Sequence, residues 1–183
     1  MNILETPIKD LYIIEPKIFG DNRGYFFESF NQKVFEDKRL NYKFVQDNES
    51  SSGYGVVRGL HYQLAPHAQT KLVRVVFGKV YDVAVDIRKE SPTFGKWYGI
   101  ELSDENKRQF LIPRGFAHGF AVLSENAVFQ YKCDAYYEPA SERGIIYNDP
   151  ILNIDWKIAE KDIHLSKKDG ELPEFLKCEN NFI

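Results

Sequence analysis

Four histidines, His61, His67, His118 and His164, are the side chains that titrate nearest neutrality in this chain. Two of them sit in apolar, strand-like company: His61 in "RGLHYQ" and His118 in "IPRGFAHGFAVL". Either has a bland reading, His61 as a satisfied strand histidine and His118 as a buried ring bonded to backbone. His67, beside Pro66, reads as loop surface. Around them lies a polar set spread over several apparent strands: Arg23 and Glu28 in "DNRGYFFESF", Gln46 and Asn48 in "VQDNES", then Arg58, Lys71, Asp82, and Tyr131 in "VFQYKCDAYY". Groups of this kind on strands that otherwise read as core imply a cavity lined with polar side chains. The chemistry they suit is proton abstraction next to a carbonyl. That reaction needs a base with a pKa near neutrality, which histidine supplies, and a cation to stabilise the enolate, which lysine supplies. If configuration is to invert, it also needs an acid on the opposite face, for which a tyrosine serves.

Other chemistries are poorly provided for. A cupin-type metal centre takes two histidines and a glutamate from one motif and a further histidine from "PxGxxH". The second half is present as Pro113 to His118, but Tyr62-Gln63 follows His61 and no suitably spaced glutamate comes after it, so no metal is expected. "GYGVVRG" lacks the glycine spacing of a dinucleotide loop, and no GxSxG nucleophile motif occurs. Cys133 and Cys178 lack zinc spacing and read as reduced thiols.

The elements that must position these groups read as many short strands: 11–15, 24–30, 43–46, 55–63, 71–77, 80–87, 97–102, 109–112, 118–123, 127–136 and 144–147. Residues 31–40 start a short helix with Asn31 as its cap, and 158–168 holds a second. "QDNESSSGYG" (46–55) reads as a loop. "KLVRVVFGKVYDVAVDIR" reads as a hairpin turning at Gly78-Lys79 with Phe77 opposite Val80. In that register Lys71, Val73, Val75, Val80, Asp82, Ala84 and Asp86 share one face, and Leu72, Arg74, Val76, Tyr81, Val83, Val85 and Ile87 share the other. The charged face is either solvated or the wall of a cavity. Strict alternation in 55–63 puts His61 with Gly59 and Gln63, opposite Arg58, Leu60 and Tyr62.

A chain of 183 residues suits one domain with a real core, and 15% aromatic content with 14 Phe and 11 Tyr fits an all-β interior or a stacking pocket. A net charge of −3 without Lys/Arg runs argues against nucleic acid or a membrane surface as partner. With no signal-peptide pattern at the start and no long apolar run, the expected location is cytoplasmic.

The motifs in series are recognisable. "DNRGYFFESF", "FVQDNESSS", "GVVRGLHYQ", "KLVRVVFGKVYDVAVDIRKESPTFGKW", "LSDEN", "IPRGFAHGF", "YKCDAYYEP", "NDP" and "SKKD" resemble, in order and spacing, the dTDP-4-dehydrorhamnose 3,5-epimerase family over roughly residues 3 to 170. The resemblance implies an all-β, cupin-like jelly-roll barrel of antiparallel strands with a few short helices. It implies one epimerase domain over 1–183, its core at about 10–147 and a short helical segment at about 155–183. It further implies a cofactor-independent isomerase acting on a dTDP-sugar, and a homodimer that exchanges N-terminal strands.

Carried over by position, His61 resembles the base, Asp169 of "SKKD" the carboxylate that orients it, Lys71 the enolate partner with Asp82 beside it, and Tyr131 the acid. Arg23, Glu28, Gln46, Asn48, Arg58, His118, Glu142 and Lys168 resemble the dTDP contacts, with Phe26 near the thymine and Lys167 as the alternative to Lys168. Tyr147 stands where the family often has tryptophan before "NDP". The alternatives left by the sequence are a mono-epimerase, a 3,4-ketoisomerase, an epimerase of another nucleotide sugar, a sugar-binding cupin without catalysis, and a metal-dependent cupin oxygenase.

Overall fold

The computed structural model describes residues Met1 to Ile183. Two antiparallel sheets lie face to face. The six-stranded sheet has the order β1 (Asn2–Glu5), β2 (Tyr12–Glu15), β10 (Gln109–Ile112), β7 (Lys71–Phe77), β12 (Asn126–Cys133), β5 (Gln46–Gly53). The five-stranded sheet has the order β13 (Glu142–Gly144), β6 (Val57–Gln63), β11 (Phe116–Val122), β8 (Lys79–Asp86), β9 (Trp97–Ser103). A small ribbon, β3 (Phe19–Asp21) with β4 (Gly24–Phe26), stands apart from both. This is the all-β arrangement that the many short strands suggest and the jelly roll that the resemblance implies. Helix is limited to α1 (Gln32–Asp37), α2 (Lys167–Gly170) and three single 3-10 turns. No helix is long and apolar enough to cross a membrane.

Apolar side chains fill three layers. Between the sheets, Val73 and Val75 of β7 meet Val80 and Ala84 of β8, with Phe110, Phe120 and Phe129 among them. Outside the five-stranded sheet, Leu60, Tyr62, Val83, Val85 and Ile87 pack under Leu152, Trp156 and Phe175 of the C-terminal segment. Outside the six-stranded sheet, Ile14, Leu72 and Leu111 pack under Phe35 of α1 and Leu40. Burying one such side chain fully stabilises by about 1.5–3 kcal/mol, so both sheets are anchored on two faces rather than one. That double burial explains the near-continuous apolar runs of β8 and β11.

The structure overturns the hairpin at Gly78. Strands β7 and β8 do not pair: β7 lies between β10 and β12, and β8 between β9 and β11. The chain crosses from one sheet to the other at Gly78, whose φ of +77° and whose closeness to Asn126 O, 2.0 Å from where a Cβ would stand, exclude any side chain. The division of faces nevertheless survives. Lys71, Val73 and Val75 point inward from one sheet, and Val80, Asp82 and Ala84 point inward from the other, so the two halves of the expected face now oppose each other across the core.

A second correction concerns 46–55. Residues 46–53 form β5, an edge strand paired along its length with β12, instead of the expected loop with a strand at 43–46. Its side chains alternate between half-buried (Gln46, Asn48, Ser50, Ser52) and exposed (Asp47, Glu49, Ser51), the period of two of a strand with one face inward. The 24–30 strand is shorter than expected, ending at Phe26, and β1 and β3 are additional. Asn31 caps α1 as expected, accepting from Val34 N.

Candidate active site

Strand β6 carries two functional side chains three residues apart on one wall. Opposite β11, His61 is paired with His118 and Arg58 with Phe120, so β6 spends one more residue than its neighbour over that span. This is a β-bulge, and it turns Arg58 to the same side as His61. Strict alternation placed them on opposite faces; the structure brings both into one cavity. The bulge depends on Gly59, at φ +115°, because a Cβ there would lie 2.7 Å from Gly119 Cα and His118 O.

The cavity holds about 190 Å³ between the two sheets. His61, Arg58, Lys71, His118, Tyr131 and Asp169 all line it, and the stacked rings of Phe120 and Phe129, 4.2 Å apart, form part of its wall. It opens past the exposed Glu49 and Arg58.

Asp169 reaches the site from α2. Ser166 caps that helix, its hydroxyl accepting from Asp169 N at 3.0 Å, which fixes the backbone from which the carboxylate projects. Asp169 Oδ1 lies 2.8 Å from His61 Nε2. Burial pushes the Asp169 carboxyl up, but the bonds from His61 and Ser166 outweigh it and hold the pKa below the usual range. An ionised Asp169 therefore holds the proton of His61 on Nε2 and leaves Nδ1 as the basic nitrogen. Nδ1 is the one buried side-chain nitrogen or oxygen in the chain without a hydrogen-bond partner.

Lys71 enters from the facing sheet, its ammonium 5.8 Å from the centre of the Tyr131 ring, and burial pulls its pKa down. Cys133 stands opposite it in register on β12, and burial pushes that thiol up to about 11, so it stays neutral. Tyr131 is half-buried, and burial raises its pKa too. Asp82 is fully buried and accepts from His118 Nε2 at 3.0 Å through both oxygens, rather than pairing with Lys71. His118 is thus bonded to a carboxylate, not to backbone. Although the two histidines are cross-strand partners, each is held by its own acid.

Of β5, Glu49 and Ser50 line the cavity, whereas the expected Gln46 and Asn48 do not. Gln46 Nε2 donates to Asn48 Oδ1 at 3.0 Å, and Asn48 lies opposite Tyr131 on β12. Glu142 Oε2 accepts from Lys168 Nζ at 2.5 Å and from Tyr137 Oη at 2.6 Å, while Oε1 sits 3.9 Å from His61 Nδ1. Lys168 is thus the lysine bonded to Glu142, while Lys167 Nζ lies 3.9 Å from Glu171 Oε1.

Arg23, Phe26 and Glu28 are not brought to this cavity. Arg23 pairs with Asp21 on the exposed β3–β4 ribbon, Phe26 is 67% exposed, and Glu28 accepts from Asn31 Nδ2. Residues missed from sequence are Ser50, Phe120 and Phe129 on the wall, Ser52, which accepts from Arg58 Nε at 3.1 Å, and Tyr137. The alternation of β5 and the two-residue step from Phe129 to Tyr131 were the available signals.

The assembly is a histidine with one nitrogen pinned and one free, facing a half-buried lysine and a protonated tyrosine, which equips it to take a proton from carbon and return one. A family model described as dTDP-4-dehydrorhamnose 3,5-epimerase matches residues 5–177. The chain is 58% identical over 173 residues to the dTDP-4-dehydrorhamnose 3,5-epimerase of Shigella flexneri, covering 91% of this chain and 96% of that one. A crystal structure of the enzyme of that name from Elizabethkingia anophelis is 59% identical, covers 96% and 97% of the two chains and superposes with a TM-score of 0.93. A Legionella pneumophila dTDP-6-deoxy-D-glucose-3,5-epimerase solved in complex with dTDP-4-keto-L-rhamnose is 56% identical, with a TM-score of 0.92 over 96% of this chain and 93% of that one. By the matched span, the identity and the shared fold, this chain belongs to the dTDP-4-dehydrorhamnose 3,5-epimerase family.

Proposed function

We propose that the chain converts dTDP-4-dehydro-6-deoxy-D-glucose to dTDP-4-dehydro-L-rhamnose by inverting C3 and C5, both α to the C4 ketone. The observation that carries this reading is the free Nδ1 of His61, pinned from behind by Asp169, in a cavity shared with Lys71 and Tyr131. His61 removes the proton on carbon. Asp169 keeps the tautomer and stabilises the imidazolium that forms. Lys71 faces the C4 oxygen; burial destabilises its charge in the free enzyme, so a developing enolate is the partner its ammonium lacks. Tyr131 stays protonated because burial raises its pKa, and it delivers its proton from the opposite side. Asp82 orients His118.

Arg58, His118, Gln46 and Asn48 contact the nucleotide, with Glu142 and Lys168 at the rim; an arginine fork suits the diphosphate. No cofactor takes part. We further infer that residues 1–183 act as one domain and that two copies pair as a homodimer in the cytoplasm. In that dimer the β3–β4 ribbon of one copy brings Arg23, Phe26 and Glu28 to the other's site. The exposure of Phe19, Tyr25 and Phe26, at 52, 60 and 67%, supports a partner on that ribbon.

The test is incubation with dTDP-4-dehydro-6-deoxyglucose in heavy water, followed by NMR. Deuterium at both C3 and C5 is expected. Label at one carbon reduces the enzyme to a mono-epimerase, and label at neither removes the substrate assignment.

A further inference from the structure

An inversion that takes a proton with one group and returns it with another leaves both groups in the wrong state. When the C–H bond breaks, its proton goes to His61 Nδ1 and its electron pair to the enolate. When Tyr131 gives its proton to carbon, a phenolate remains beside an imidazolium. A second inversion cannot start until the imidazolium has lost a proton and the phenolate has gained one. On the epimerase reading, which this inference rests on, the site needs a reset twice per product molecule.

We propose that Glu142 is the proton exit of the base, held in place for that task by Tyr137. Both fixed bonds to this carboxylate fall on Oε2, from Lys168 Nζ and Tyr137 Oη, leaving Oε1 free and 3.9 Å from the unpartnered His61 Nδ1. A small rotation of either side chain closes that gap to hydrogen-bond length. Oε1 accepts the Nδ1 proton, giving neutral His61 and a neutral carboxylic acid. Glu142 then releases the proton to solvent water at the rim, where Lys168 and Tyr137 are exposed. A proton from solvent water restores the Tyr131 phenol, so one proton leaves, one enters, and the enzyme regains its starting state. Burial pushes the Glu142 carboxyl up, but its bonds with Lys168 and Tyr137 prevail and hold its pKa below the usual range, which favours prompt release to solvent. Tyr137 is a positioning residue for Oε1: its hydroxyl bonds Oε2 and so fixes which oxygen faces Nδ1.

The test separates the first proton abstraction from the reset. In Glu142→Gln, at saturating substrate, the first deuterium exchange, followed by rapid quench within one turnover, is expected to fall at least about tenfold less than steady-state kcat. Steady-state kcat is expected to fall ~10²-fold, at the lower end of what a positioned proton-transfer group contributes, with singly inverted product accumulating. In Glu142→Ala, added formate is expected to restore part of the lost turnover. Tyr137→Phe, at a position 51% exposed and therefore tolerant of substitution, is expected to lower kcat about fivefold with KM unchanged, the worth of one hydrogen bond. Equal losses in first exchange and steady state would assign Glu142 to shaping His61 and overturn the exit, as would full steady-state turnover in Glu142→Gln. Wild-type enzyme that exchanges neither carbon would instead overturn the substrate reading.

Discussion

Two aspartates on β8, four residues apart, both have side chains closed off from solvent, yet their carboxyl pKa values are displaced in opposite directions. Asp86 accepts from five donors: Arg88 N, Nε and Nη2, Ser91 Oγ and Thr93 Oγ1. Burial raises its carboxyl, but those bonds together pull the pKa below the usual range. Asp82 has His118 alone, and there burial wins and raises the pKa. Around Asp86 every lone pair has a donor and there is no chemistry left to perform. Around Asp82 the charges are too few for their depth: Lys71 without a close acid, His61 with an unpaired nitrogen. Incomplete satisfaction marks the interior beside the cavity, where Asp82 holds His118, and full satisfaction marks the end of β8 that Arg88 ties down.

Substitutions can break that contrast, beginning with the largest effect. Asp86→Asn strands several donors around a weaker acceptor and is expected to cost about 3–5 kcal/mol in urea unfolding at neutral pH. Because the folded pKa of Asp86 is lowered, its contribution is present above the ordinary aspartate pKa and is lost as pH falls through the folded value. The difference between wild type and variant should therefore shrink in acid; a constant difference would show that packing, not the charge, carries the loss.

Lys71→Met is expected to reduce kcat ~10²- to 10³-fold while leaving the melting temperature unchanged or higher, since burial already disfavours the ammonium. A large loss of stability would place Lys71 with Asp86 among structural charges. The smallest expected effect is that of Asp82→Asn: about tenfold in kcat, with stability held or raised. The folded pKa of Asp82 is raised, so whatever stability protonation supplies is present at low pH and lost as pH climbs through that value. The advantage of the asparagine variant should accordingly grow from acid toward neutral pH.

The site was legible in the sequence where side-chain type was decisive and illegible where backbone geometry was. His61, Lys71 and Tyr131 stood out because titratable groups interrupted apolar strands, and all three line the cavity. Asp169 carried no such local signal, since its carboxylate sits on a one-turn helix far along the chain; only the resemblance singled it out. Arg58 was put on the wrong face because a bulge is invisible to a strict period of two. Strand β5 was read as a loop because its inward side chains are as polar as its outward ones, so hydrophobic alternation had nothing to register. The crossing at Gly78 looked like a turn since both need a glycine at positive φ. The inward face of β7 and β8 was nonetheless right, because inward residues share their character whether the strands pair side by side or meet across a core.

The placement of β5 bears on how such an enzyme could acquire a different substrate. Its four inward side chains, Gln46, Asn48, Ser50 and Ser52, are small or polar, belong to none of the three apolar clusters, and sit on a strand with one neighbour only. Ser50 lines the cavity and Ser52 holds Arg58, so changing these two alters the cavity without opening a void in the hydrophobic interior, whereas β6 is locked by the close passage of Gly59 over Gly119. A combinatorial library confined to Ser50 and Ser52 would remodel ligand fit at little risk to folding, which makes the sheet edge the adaptable part of the scaffold and the bulged strand its fixed reference.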